Sequence, residues 1–76
     1  MMNLNLKVGD MVYVPSKTYV HQPLGDTQKY EVLEEPQALL VIGENSRFYE
    51  VLMMGSSWYV SKQDVYGTAR GQHNGC

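Results

Sequence analysis

The side chains in this sequence able to ligate a metal or act as a nucleophile are few: two histidines, His21 and His73, and one cysteine, Cys76. His73 and Cys76 form a His-x-x-Cys pair. That supplies two ligands where a structural zinc site needs four. A Cys/His nucleophile pair also needs rigid elements to hold thiol and imidazole within hydrogen-bond reach. The surrounding stretch Gly71-Gln72-His73-Asn74-Gly75-Cys76 has nothing to bury and supplies none. No metal and no cofactor are expected.

Glu31, Glu34, Glu35, Glu44, Glu50 and Asp64 offer carboxylates. General acid–base work requires two of them held across a pocket, and a chain of 76 residues filled by its own side chains leaves little room for one. No strand, glycine loop and helix follow one another in the way that presents backbone amides to a phosphate. The expectation is a protein that is not an enzyme.

Aromatic residues are the more telling group: one Trp, six Tyr and one Phe. Tyr30, Tyr49 and Trp58 are expected in the core, whereas strand alternation sets Tyr59 on the face opposite Trp58. Tyrosine gives interfaces a large contact area at low entropy cost. Tyr19, Tyr59 and Tyr66, ringed by Glu31, Glu34, Glu35 and Glu50, form the candidate partner-binding surface. Met53-Met54 adds an adaptable apolar edge, a candidate dimer contact.

These side chains must be positioned by short strands. Gly9-Asp10, Pro15-Ser16, Pro23 to Asp26, Glu35-Pro36, Gly43 to Ser46, Gly55-Ser56 and Gly67 punctuate the chain, with β-branched and aromatic residues between them. No apolar stripe at helical spacing runs for useful length, so the pattern predicts an all-β fold. Five strands are expected: Met11–Val14, Ala38–Ile42, Arg47–Met54, Ser57–Ser61 and one starting at Val65-Tyr66. Alternation places Val12 with Val14, Tyr49 with Val51 and Met53, and Trp58 with Val60, each set on one face. Ala38–Ile42 reads as covered on both sides. Ser16 to Gln28 reads as a long polar loop with local pairing around Tyr19-Val20, and Lys62-Gln63-Asp64 as one helical turn. The domain spans 1–67, and 68–76 is expected to be a flexible tail.

The lone cysteine closes no internal disulfide, and the longest apolar run, Ala38–Ile42, is far too short for a membrane span. No secretory leader pattern opens the chain. A soluble, cytoplasmic protein is expected. Net charge is −2, and Lys7, Lys17, Lys29, Arg47, Lys62 and Arg70 are spread out, so general phosphate neutralisation is poorly served.

The stretches Val8-Gly9-Asp10-Met11-Val12-Tyr13-Val14 and Gly55-Ser56-Ser57-Trp58-Tyr59-Val60-Ser61-Lys62-Gln63-Asp64-Val65-Tyr66 resemble the opening strand and the final meander and closing turn of SH3-like small barrels, including bacterial SH3-like and KOW-type domains. The resemblance covers about residues 7–67 and implies a five-stranded SH3-like barrel. In style the chain is also similar to small accessory proteins of bacteriophages, which implies docking on, and modulation of, a host protein. It departs from the proline-peptide binders: the first loop holds one aromatic, Tyr19, and one acid, Asp26, and the closing turn lacks Pro-Ser-Asn-Tyr. The function expected is a non-enzymatic protein–protein interaction module, monomeric or weakly dimeric, whose acidic rim suits a basic partner. The alternatives are a nucleic-acid-binding barrel using Lys17, Lys29, Arg47 and Lys62 around stacking tyrosines, or a structural subunit of a larger assembly.

Overall fold

Tight turns set the strand boundaries. A computed structural model describes residues 6–67, and the tail expected over 68–76, with His73 and Cys76, lies outside the described residues. The strands are β1 (Met11–Val14), β2 (Tyr19–Leu24), β3 (Thr27–Val32), β4 (Gln37–Glu44), β5 (Phe48–Met53), β6 (Ser56–Ser61) and β7 (Tyr66–Gly67), with a 3-10 turn at Lys62–Asp64 before β7. That turn is started by the Ser61 hydroxyl, which accepts the Gln63 N–H.

All pairings are antiparallel, in one sheet of order β3-β2-β6-β5-β4-β1-β7. This corrects the expected five-stranded closed barrel: the described residues form seven strands in one open sheet, with edges at β3 and β7. Of the two added strands, β2 comes from the stretch expected to be a loop, and β3 joins the end of that loop to Tyr30-Glu31-Val32, which the sequence reads as a short extended segment. Gly25 (φ 59) and Asp26 make a two-residue turn between Leu24 and Thr27, with positive φ at the first position only. A Gly-first pair suits that turn because its twist matches the flanking strands. Pro23, opposite Gln28, occupies a non-hydrogen-bonded position of the β2–β3 ladder, so its missing N–H breaks no bond to β3.

Strand alternation delivers one face to the core. Val12, Val14, Val20, Leu39, Val41, Tyr49, Val51, Met53, Trp58 and Val60 are buried, joined by Leu33 and Val65 from the connections. Among the described residues no helix longer than the single 3-10 turn is present to cover that face. A sheet with one buried face and no second layer must therefore curl around its own side chains. The polar atoms of the large core residues are satisfied: Trp58 Nε1–H donates to the Met53 carbonyl at 3.1 Å, and the Tyr49 hydroxyl accepts the Leu6 N–H at 3.3 Å. The inward rows of β1, β5 and β6 are the expected ones. Tyr30 is not in the core but 60% exposed, because it lies on the β2–β3 hairpin and faces outward. Nor is β4 covered on both sides, since Ala38 and Leu40 meet solvent.

Between Val41 and Gly43 the β4–β5 register shifts by one, leaving Ile42 as the extra residue of a bulge. A Cβ at Gly43 would sit 2.7 Å from Glu50 Oε1, so a larger residue there would push the end of that flexible side chain aside.

Candidate interaction surface

The side chains opposite the core rows form the outer face. Tyr19 and His21 alternate with buried Val20, Phe48, Glu50 and Leu52 with Tyr49 and Val51, and Tyr59 with Trp58 and Val60. Tyr30 is directly across from His21, and Tyr66 across from Tyr13, so both share this face.

Four rings form a connected group over β3, β2, β6 and β5. His21 lies 5.6 Å from Tyr30, 5.7 Å from Tyr59 and 5.0 Å from Phe48, edge to face with the last. Phe48 and Tyr59 are 6.4 Å apart. These separations lie in the range where aromatic pairs attract. The His21–Tyr59 register is the one point where β2 pairs with β6, so the ring group sits where the hairpin joins the sheet. The Tyr30 hydroxyl donates to Gln28 Oε1 at 2.9 Å, which holds its ring along the strand.

The other half of the outer face is aliphatic. Leu52 stands opposite Leu40, Leu40 opposite Met11, and Tyr13 opposite both Ala38 and Tyr66. Tyr13 and Tyr66 rings are 6.2 Å apart. Met11, Tyr13, Leu40, Leu52 and Tyr66 are all exposed. An open antiparallel sheet usually turns polar side chains to water. This one presents at least one apolar or aromatic side chain on every strand, with Gln28, Glu50, Ser57 and Ser61 set among them.

The residues singled out from the sequence divide accordingly. Tyr19 and Tyr59 lie on the neighbouring strands β2 and β6 and share the outer face. Tyr66 is on β7, with β5, β4 and β1 between it and Tyr59 in the sheet order. Glu50 is half-buried opposite Tyr59. Glu31, Glu34 and Glu35 are gathered elsewhere: with Val32, Leu33, Gln37, Met53 and Met54 they line a shallow depression of about 270 Å³. His21, Tyr30 and Phe48 were not among the candidate site residues. The parity of β2 was the available signal, readable once Gly25-Asp26 is taken as a two-residue hairpin turn.

The cations expected to flank the tyrosines are engaged in part. Lys62 Nζ is 2.6 Å from Glu44 Oε1 and 4.9 Å from the Tyr49 ring centroid. Lys29 is on the inner side of the hairpin, 5.8 Å from the Trp58 ring centroid. Among the described residues no group of three or more His, Cys, Asp or Glu is arranged to hold a metal ion, and no helix is long and apolar enough to cross a membrane.

In comparisons with known proteins, the chain matches no family model, no curated protein and no solved structure at significance.

Proposed function

We propose that this chain is an SH3-like protein-binding module that docks on a partner protein through the outer face of its sheet. The carrying observation is the connected ring group on the outer face, half-buried His21, Phe48 and Tyr59 with exposed Tyr30, beside exposed Tyr19. Exposed contiguous apolar surface of this kind marks interaction sites on soluble proteins, and tyrosine-rich patches dominate interface energetics. Glu50 amid the rings and the net charge of −2 favour a partner with a basic surface.

The SH3-like reading is supported by strand order. With the β2–β3 hairpin set aside, the remaining strands run β7-β1-β4-β5-β6. The hairpin then fills the place of the long first loop, and the 3-10 turn precedes the last strand. A phage accessory role, acting on a host protein, fits this small protein-docking design.

The test is capture on the immobilised full chain, identification of retained proteins, and measurement of Kd with the purified partner. Replacing both tyrosines, Tyr19→Ala with Tyr59→Ala, is expected to weaken binding at least about tenfold, as loss of interface anchors does. An unchanged Kd for the variant overturns the placement. If single-stranded nucleic acid binds instead, with affinity falling steeply as salt rises, the partner class is wrong.

A further inference from the structure

The β3 edge is open in a way that has a specific partner. β3 pairs with β2 alone, in an unbroken register from Tyr19 opposite Val32 to Leu24 opposite Thr27. Leu24 and Thr27 flank a two-residue turn and so form a hydrogen-bonded pair. The backbone N–H and C=O groups of Thr27, Lys29 and Glu31 therefore point to β2. Those of Gln28, Tyr30 and Val32 point the other way, to an edge that, among the described residues, carries no strand. The same alternation continues at Leu33, whose N–H donates to the Thr18 carbonyl at 2.9 Å.

Folded proteins guard such edges with proline, a bulge or repelling charges. β3 has neither proline nor bulge. Its two charges, Lys29 and Glu31, have opposite signs and flank Tyr30 symmetrically. Among the described residues neither forms a salt bridge.

We propose that β3 pairs antiparallel with β3 of a second copy of this chain, Tyr30 opposite the partner's Tyr30, in a two-fold symmetric dimer. Two constraints select this register. The free backbone groups belong to even-numbered residues, so only even residues can form hydrogen-bonded pairs across the edge. Gln28 opposite the partner's Val32, and Tyr30 opposite the partner's Tyr30, meet that condition. Lys29 then stands opposite the partner's Glu31, twice by symmetry, at non-hydrogen-bonded positions where facing side chains are closest. The two adjacent registers that keep the parity centre on Lys29 or on Glu31. Each sets like charges directly opposite, which destabilises. An isologous contact of this kind closes on itself and stops at two copies.

The proposal concerns the backbone edge of β3, which shares only Tyr30 with the outer-face docking site, and its test leaves Tyr19, Tyr30 and Tyr59 untouched. The full chain is titrated to about 1 mM, the weak limit expected of a small contact, with mass followed by light scattering or sedimentation. Amide hydrogen exchange is followed in parallel. Mass should rise towards twice the single-chain value, and the amides of Gln28, Tyr30 and Val32 should gain protection as concentration rises. Glu31→Lys is expected to weaken association about tenfold, as is Lys29→Glu. The double variant with both changes regenerates opposite charges and should restore association to within about threefold of the parent. Trp58 fluorescence and circular dichroism monitor the fold of each variant, because Lys29 lies over the indole. A single-chain mass throughout overturns the proposal. So does association that is indifferent to the single changes, or that the double change fails to restore. Protection of the β3 amides by another protein's extended segment, without self-association, reassigns the edge to that occupant and equally overturns it.

Discussion

At the scale of single residues, Met54 is where backbone and side chain disagree most. Its φ is 53 and that of Gly55 is 76, so both central residues of the β5–β6 turn are left-handed. That is the turn preferred by Asn-Gly, and a methionine at its first position is strained by contact between Cβ and carbonyl. Met54 is also 73% exposed, so no buried contact offsets the strain. Met54→Asn should raise unfolding free energy by about 1 kcal/mol, read as an increased urea midpoint with unchanged slope. Asn45 shows the opposite case, a residue suited to its place. Its Oδ1 accepts the N–H groups of Arg47 and Phe48, both at 2.9 Å, closing the β4–β5 turn. Asn45→Ala should cost about 1 kcal/mol in the same assay. Both turns were legible as turns from Gly55 and Asn45. The left-handed Met54 was not, because no property of methionine signals it.

At the scale of elements, the β2–β3 hairpin carries most of what is particular to this protein. It sends Val20 into the core, sets Lys29 over Trp58, positions His21 against Tyr59, and is tied down by Gln22 Nε2–H donating to the Ser57 carbonyl at 2.9 Å. The core strands were readable because their alternation is clean: Val12/Val14, Tyr49/Val51/Met53 and Trp58/Val60 repeat every second residue, and all are buried. The hairpin was not, because its strands lack that pattern. In β3 every residue but Val32 is exposed, and β2 contains Pro23, so Ser16 to Gln28 reads as polar loop and Tyr30 to Leu33 only as a short extended segment. The remaining cue was Gly25-Asp26. Gly25→Val should cost about 1–3 kcal/mol, since a β-branched residue tolerates φ 59 poorly. Loosening of the hairpin should also make Trp58 emission more accessible to iodide, whereas the same change at exposed Gln28 should leave both measurements unchanged.

At the scale of the whole molecule, the sheet has two apolar faces and one of them is not packed. The β4–β5–β6 meander was legible from the tight turns between its strands, but the place of β2 beside β6 was not, because it rests on long-range pairing at His21 and Tyr59. Without that order Tyr19, Tyr59 and Tyr66 look equivalent, and three separating strands show that they are not. The two faces differ by one residue in register, so equal chemistry moved by one position should have opposite consequences. Leu40 and Leu52 are an opposed outward pair; Val41 and Val51, the next pair along, are fully buried. Replacing both leucines by threonine keeps strand-forming residues at exposed sites. The outward double variant should therefore lie within about 1 kcal/mol of the parent in unfolding free energy, in keeping with small effects at each surface position. Val41→Thr with Val51→Thr puts two hydroxyls into a core without partners for them, and each unsatisfied hydroxyl costs about 1–3 kcal/mol. A domain of this size has little reserve, so the inward variant should be largely unfolded by circular dichroism at 25 °C. The outward variant should instead stay folded and bind less of an apolar dye than the parent, since it removes exposed aliphatic surface without touching the core. Equal destabilisation by the two double variants would mean that both faces are packed, and the outer face would then be unavailable for docking.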